Sequence, residues 1–173
     1  MATPNFESSR IAADYHPLDR AEELVGKQLF QTAWMQARRK HMMLFQDAIE
    51  TNPEESDVTI CLSNPEADNI MDGMWTMSMV VNFHFNHNPI WSPGMWALFH
   101  GVEKARFPQP LLVGQNIRCI ATLKDVREHR LGRIIVSDNL VEIQGEERPA
   151  LIVTTSALFR IGAMPGKTSD ESK

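Results

Sequence analysis

The chain has 173 residues, 43% hydrophobic and 23% charged, a balance that suits one globular domain with a sizeable core. Its net charge of −5 argues against a nucleic-acid binder, which needs a basic face. Cys61 and Cys119 are far apart and form no C-x-x-C motif, so buried or free thiols in a reducing cytosol are expected.

The opening M-A-T-P-N-F-E-S-S-R has neither a basic leader nor an apolar core, so no signal peptide is expected. No stretch reaches the roughly 18 apolar residues of a membrane-spanning helix. These readings point to a cytoplasmic protein. Residues 1–20 read as a polar, irregular N-terminal extension, 21–163 as the folded domain and 164–173 as a disordered tail.

Within the domain, Leu29 to Trp34 reads as a short strand. From Gln36 to Glu50, Met42, Phe45, Ala48 and Ile49 recur at three- and four-residue spacing, the mark of an amphipathic helix. Asn52-Pro53 ends it, because proline restricts the residue before it and donates no helical hydrogen bond. Asp72-Gly73 opens a second helix to about Phe85, with apolar side chains on nearly every face. Such a helix belongs in an interior. Ten methionines, five of them between Met71 and Met95, either fill irregular core space or line an adaptable apolar cavity.

Beyond a Pro- and Trp-containing segment the chain reads as antiparallel strands. Ile117, Cys119, Ala121 and Leu123 alternate with polar residues, although Ile120 breaks the polar face. A turn at His129 to Gly132 leads into a strand from Arg133 to Ile143. After a second turn, Leu151, Val153, Thr155, Ala157, Phe159 and Ile161 form a period-two face. Long late strands after one buried helix argue an α+β fold, with a curved antiparallel sheet around that helix.

Several stretches carry a resemblance to a known family. They are L-V-G-K-Q-L-F-Q-T-A-W-M-Q-A-R-R-K-H-M-M-L-F-Q-D-A-I-E (Leu24 to Glu50), M-D-G-M-W-T-M-S-M-V (Met71 to Val80), G-V-E-K-A-R-F-P-Q-P-L-L-V-G-Q-N-I-R (Gly101 to Arg118) and V-E-I-Q-G-E-E-R-P-A-L (Val141 to Leu151). Together they resemble the MaoC-like, R-specific enoyl-CoA hydratase family, which implies a single hot-dog fold. In that family the loop after the first helix supplies an Asp and, five residues later, a His that activate water. Here the loop reads T-N-P-E-E-S-D-V, and those places fall on Pro53 and Val58. Neither side chain transfers a proton, so the resemblance implies a divergent member without the hydration dyad. His100 also departs from the family, standing where relatives often carry Tyr.

The family commonly has His-Gly where this chain has Asp72-Gly73. A helix start presents unpaired N–H groups and the positive end of the dipole, which stabilise charge developing on a thioester carbonyl. Gly73 would let a substrate approach the backbone closely. Asp72 reads first as an N-cap and second as a candidate acid/base. Glu54, Glu55 and Asp57 read first as solvated loop residues. His84 is a candidate site base, and Met74, Trp75, Met77 and His100 are candidate substrate-binding residues whose simplest role is core packing. His84, His87 and His100 complete no metal pattern, so neither metal nor cofactor is expected.

Two functions follow. One is an enzyme that isomerises, dehydrates or cyclises an unsaturated acyl or polyketide-type substrate by carbonyl polarisation in an apolar pocket. The other is a non-catalytic hot-dog subunit paired with an active hydratase or dehydratase. The resemblance implies a homodimer, or a heterodimer with another hot-dog chain, with no nucleic-acid or membrane partner.

Overall fold

The computed structural model of the chain describes residues 15–49 and 69–162. Pro53 and Val58, the acidic residues Glu54, Glu55, Asp57 and Asp68, and the tail 164–173 lie outside the described residues.

A 3-10 helix (Leu18–Leu24) precedes β1 (Gln28–Gln31), a two-residue β2 (Met35–Gln36) and α1 (Arg39–Ala48). Then come α2 (Gly73–His87), β3 (Met95–Arg106), β4 (Asn116–His129), β5 (Gly132–Ile143) and β6 (Leu151–Ile161). All strands join one six-stranded antiparallel sheet in the order β1-β4-β5-β6-β3, with β2 also on β4. The sheet wraps α2. Trp75, Val80 and Phe83 of the helix share a core with Ile117, Cys119 and Ala121 of β4, Val141 and Ile143 of β5, and Leu151 and Val153 of β6. These strand residues are two apart, so each strand gives one face to the helix.

Four sequence expectations change. The first strand is split and shifted, since β1 ends at Gln31 and Trp34 lies outside both short strands. Residues 15–20, the described part of the expected extension 1–20, pack onto the domain and enter a 3-10 helix. Leu18 and Ala21 are buried against Leu123, Ile135 and Phe159, and Tyr15 packs on Trp91 with ring centroids 5.5 Å apart. β3 is a full strand that the alternation does not announce, because bulges at His100 and Glu103 reset its period-two phase. Finally, α2 is not enclosed on every side: Met74, Val81 and Phe85 are exposed in the single chain.

Candidate functional site

The helix that organises the fold also organises the site, and its two ends differ. At the N-terminus Asp72 adopts the N-cap position, its Oδ1 accepting from the Met74 N–H at 2.6 Å and the Trp75 N–H at 3.3 Å. These are among the donors that a helix start leaves unpaired, so the cap engages two groups that a substrate oxygen would use. Gly73 lines a small cavity of about 270 Å³ with Thr76, Phe107, Gln109 and Leu111. A Cβ on Gly73 would lie 3.2 Å from the Phe107 ring, so a side chain of the chain itself occupies the close approach.

The candidate binding residues nearby do not converge. Met74 is exposed. Trp75 is buried and stacked on His41, with ring centroids 5.9 Å apart. Met77 packs partly buried against the main core. His100 is the unpaired residue of a β3 bulge, exposed, with its ring 6.3 Å from that of His129. None of these four lines either of the two cavities described here.

The other end of α2 is better furnished. His84 follows Val80 by four residues and adjoins Phe83, so it projects from the inward stripe of the helix. Below it, β5 and β6 bring Ser137 opposite Thr155 and Asn139 opposite Val153. All three polar side chains are buried. Asn139 Nδ2 donates to the Ser137 carbonyl (3.0 Å), the Val153 carbonyl (3.3 Å) and Thr155 Oγ1 (3.0 Å). Its Oδ1 lies 2.7 Å from His84 Nε2. Phe30 meets the imidazole edge-on at 5.0 Å, and Asn88 Nδ2 approaches His84 Nδ1 at 3.3 Å. Burial holds the His84 pKa below the ordinary histidine value, partly offset by the bond to Asn139. The surroundings therefore favour the neutral imidazole.

Above this polar floor is a cavity of about 400 Å³ between α2 and the β3–β6 side of the sheet. Val80, Phe85, Trp91, Trp96, Phe99 and Phe159 give it apolar walls, and His84, Asn88, Ser137 and Thr155 supply polar groups. No Asp, Glu, Lys or Arg lines it among the described residues. An apolar pocket with a few convergent polar groups and one titratable side chain is the form a small-molecule site takes. Asp72 and His84 do not act on one point, because twelve helical residues separate them by about 18 Å.

Sequence reasoning named His84 but missed Asn139, Asn88, Ser137 and Thr155 as site groups. For Asn139, Ser137 and Thr155 the signal was a polar residue in the inward phase of a strand, whereas Asn88 is the C-cap of α2. Thr155 had been counted within the apolar face of β6, and Asn139 lies two residues from buried Val141.

A single α+β domain whose antiparallel sheet wraps a central helix is a hot-dog fold. No family model matches the chain. It is 25% identical over 134 residues to Nodulation protein N of Rhizobium leguminosarum bv. viciae, spanning 73% of this chain and 81% of that protein. It is 24% identical over 134 residues to 3-hydroxyacyl-thioester dehydratase Z of Mycobacterium tuberculosis, spanning 73% and 85%. The structure of a MaoC-like dehydratase from Rhodospirillum rubrum superposes with a TM-score of 0.59 at 16% identity, covering 82% of this chain and 97% of that one. The chain has the hot-dog fold and is similar to the MaoC-like dehydratases that share it.

Proposed function

We propose that the chain is a dehydratase-fold enzyme acting on an unsaturated acyl or polyketide-type substrate, and that it is not a standard enoyl-CoA hydratase. The carrying observation is His84, fixed on Asn139 at the floor of an apolar cavity of about 400 Å³. An acyl chain suits the walls, and the imidazole supplies proton transfer near neutrality, an effect worth about 10²–10⁴ in rate. Pro53 and Val58, at the places of the family's dyad, supply none. The uncharged lining favours a neutral thioester or ester over a free acid, because a carboxylate placed there would lose its water unpaired.

The protein is proposed to work as a dimer. Among the described residues β3 pairs on one edge only, with β6, and it is twelve residues long, with Leu98, Phe99 and Val102 exposed along it. Long apolar edge strands are not left open in stable proteins. Phe85 and Phe99, both exposed, also line the cavity, so a partner on this edge would help to close it.

The test uses the purified full chain with crotonyl-CoA and with medium-chain unsaturated acyl thioesters. The expectation is negligible hydration of crotonyl-CoA, with chemistry on the longer thioesters that His84→Gln lowers at least about 100-fold. Hydration of crotonyl-CoA at ordinary hydratase rates would overturn the exclusion. Equal behaviour of wild type and His84→Gln on every thioester would favour the non-catalytic subunit. A monomer by light scattering at micromolar concentration would refute the dimer.

A further inference from the structure

The cavity's imidazole has its proton position set by two amides that are themselves held. Asn139 Nδ2 donates to two backbone carbonyls and to Thr155 Oγ1. Turning that amide over would set its oxygen against two carbonyl oxygens, so Oδ1 must face His84. The hydrogen between Oδ1 and Nε2 therefore belongs to histidine. Asn88 gives the same answer independently. Its Oδ1 accepts from the Ile90 N–H at 2.9 Å, which turns Nδ2 toward His84 Nδ1. Nδ1 then carries the lone pair. It is also the nitrogen beside Asn88, and both residues line the cavity, whereas Nε2 is committed to the sheet.

We infer that Asn139 is a positioning residue that locks His84 as the Nε2–H tautomer, so that the site works through Nδ1 as a one-base proton shuttle isomerising β,γ-unsaturated acyl thioesters to their conjugated isomers. This rests on the enzyme reading above and names its substrate class. Nδ1 removes a proton from the α-carbon. The C–H electron pair enters the π system, and the carbonyl π pair moves onto oxygen to give a dienolate. The newly formed imidazolium returns the proton to the γ-carbon. The carbonyl re-forms and the double bond comes to lie between the α- and β-carbons. No co-reactant is consumed, so a site with a single base and no charged partner suffices.

Asn88 has a defined part in this sequence. While Nδ1 is unprotonated it accepts the Asn88 amide hydrogen at 3.3 Å, a long bond. Nδ1 has one in-plane lone pair, so the amide donor leaves before the substrate's proton is taken and is free for the thioester oxygen as negative charge appears there, where a donor is worth most. Carbonyl polarisation by His84 itself is excluded in this tautomer, because its one N–H is held by Asn139.

The test has two independent readings on the full-length protein. Nitrogen-15 NMR of histidine-labelled wild type is expected to show His84 as the Nε2–H tautomer, and Asn139→Ala is expected to mix the tautomers. A β,γ-unsaturated medium-chain N-acetylcysteamine thioester in D₂O is followed by the absorbance of the conjugated product and by deuterium at the γ-carbon. Asn139→Ala is expected to lower kcat about tenfold or more with KM within about twofold. Asn88→Ala should lower kcat without changing the tautomer. If Asn139→Ala does not fold, the wild-type tautomer and Asn88→Ala still decide. An Nδ1–H tautomer in an active wild type, or a folded Asn139→Ala with undiminished kcat, overturns this inference alone. Wild type with the expected tautomer but no chemistry on this or any other unsaturated thioester overturns the enzyme reading as well.

Discussion

Asp72→Asn separates structure from chemistry at the other end of α2. The Asp72 carboxylate accepts two backbone N–H bonds through one oxygen, at 2.6 and 3.3 Å. Asparagine offers a carbonyl oxygen at the same place and is an equally good N-cap. What it removes is the negative charge at the positive end of the helix dipole, worth about 0.3–1 kcal/mol at an accessible position. Alanine removes the acceptor too, for a total of about 0.5–2 kcal/mol. In a chain of 173 residues, about 1 kcal/mol moves Tm by roughly 2–4 °C. The expected order of Tm is therefore wild type, then Asp72→Asn lower by at most about 4 °C, then Asp72→Ala lower by up to about 8 °C. Turnover of the unsaturated thioester probe should follow this shallow trend, within about threefold of wild type for Asp72→Asn. A catalytic acid or base behaves otherwise, since asparagine transfers no proton and about 10²–10⁴ in rate is lost. Thermal melts and probe kinetics on the same preparations make the comparison. A hundredfold loss of turnover in Asp72→Asn at unchanged Tm would refute the capping reasoning and return Asp72 to the chemistry.

The lowered His84 pKa gives a signed pH effect. Unfolded, His84 titrates at the ordinary value of about 6.5, while the buried native imidazole resists protonation until lower pH. Below pH 6.5 the unfolded chain thus binds a proton that the native state refuses. Its contribution to stability is full above pH 6.5, falls as pH drops toward the native value, and is flat below that. Urea midpoints measured across this window should lose part of their slope in His84→Gln, and an unchanged slope would contradict the buried neutral imidazole. Cys119 is buried and its thiol is pushed up to about 12, so in a Cys61→Ser background it should resist a disulfide reagent at pH 8 until urea unfolds the protein. Rapid labelling of the native form would show that this core position opens. Gly132 has φ +153°, and a Cβ there would collide with the Phe159 carbonyl oxygen, a backbone atom that cannot turn aside. Gly132→Ala should cost about 3 kcal/mol by urea unfolding, and a loss under about 1 kcal/mol would show that the β5–β6 contact is looser than described.

The legible parts of the chain were those in which one periodicity runs unbroken. β6 alternates in its letters, β4 does so from Ile117 to Leu123 apart from Ile120, and the apolar run after Asp72-Gly73 marks α2 together with its cap. β3 was illegible for a specific reason: the register shifts at His100 and Glu103 each flip the inward phase, so no period-two pattern survives in the letters. Leu18 and Ala21 were hidden differently, since a 3-10 helix buries two side chains too few to create a pattern, and its partners lie more than a hundred residues away on β4, β5 and β6. His84 could be named because it sits on a recognisable helix. Asn139 could not, because its meaning lies in a register: only the pairing of β5 with β6, and the seating of α2 above them, turns an asparagine in an apolar strand into the partner of that histidine.

The two ends of α2 are furnished differently, and the proposed chemistry uses the C-terminal one. At the N-terminus two of the free donors are engaged within the chain, by Asp72, and the approach to Gly73 is filled by Phe107. At the C-terminal half the helix contributes no useful dipole for an anion. The group placed there is instead a side chain whose proton position is set by the sheet. A helix start acts on a carbonyl by field, whereas an imidazole acts by exchanging a proton, which calls for a dry, uncharged surrounding that keeps it neutral. The apolar walls of the cavity provide that surrounding, and its lack of charged residues among those described follows from the same requirement, since a carboxylate near His84 would raise its pKa and turn the base into a cation.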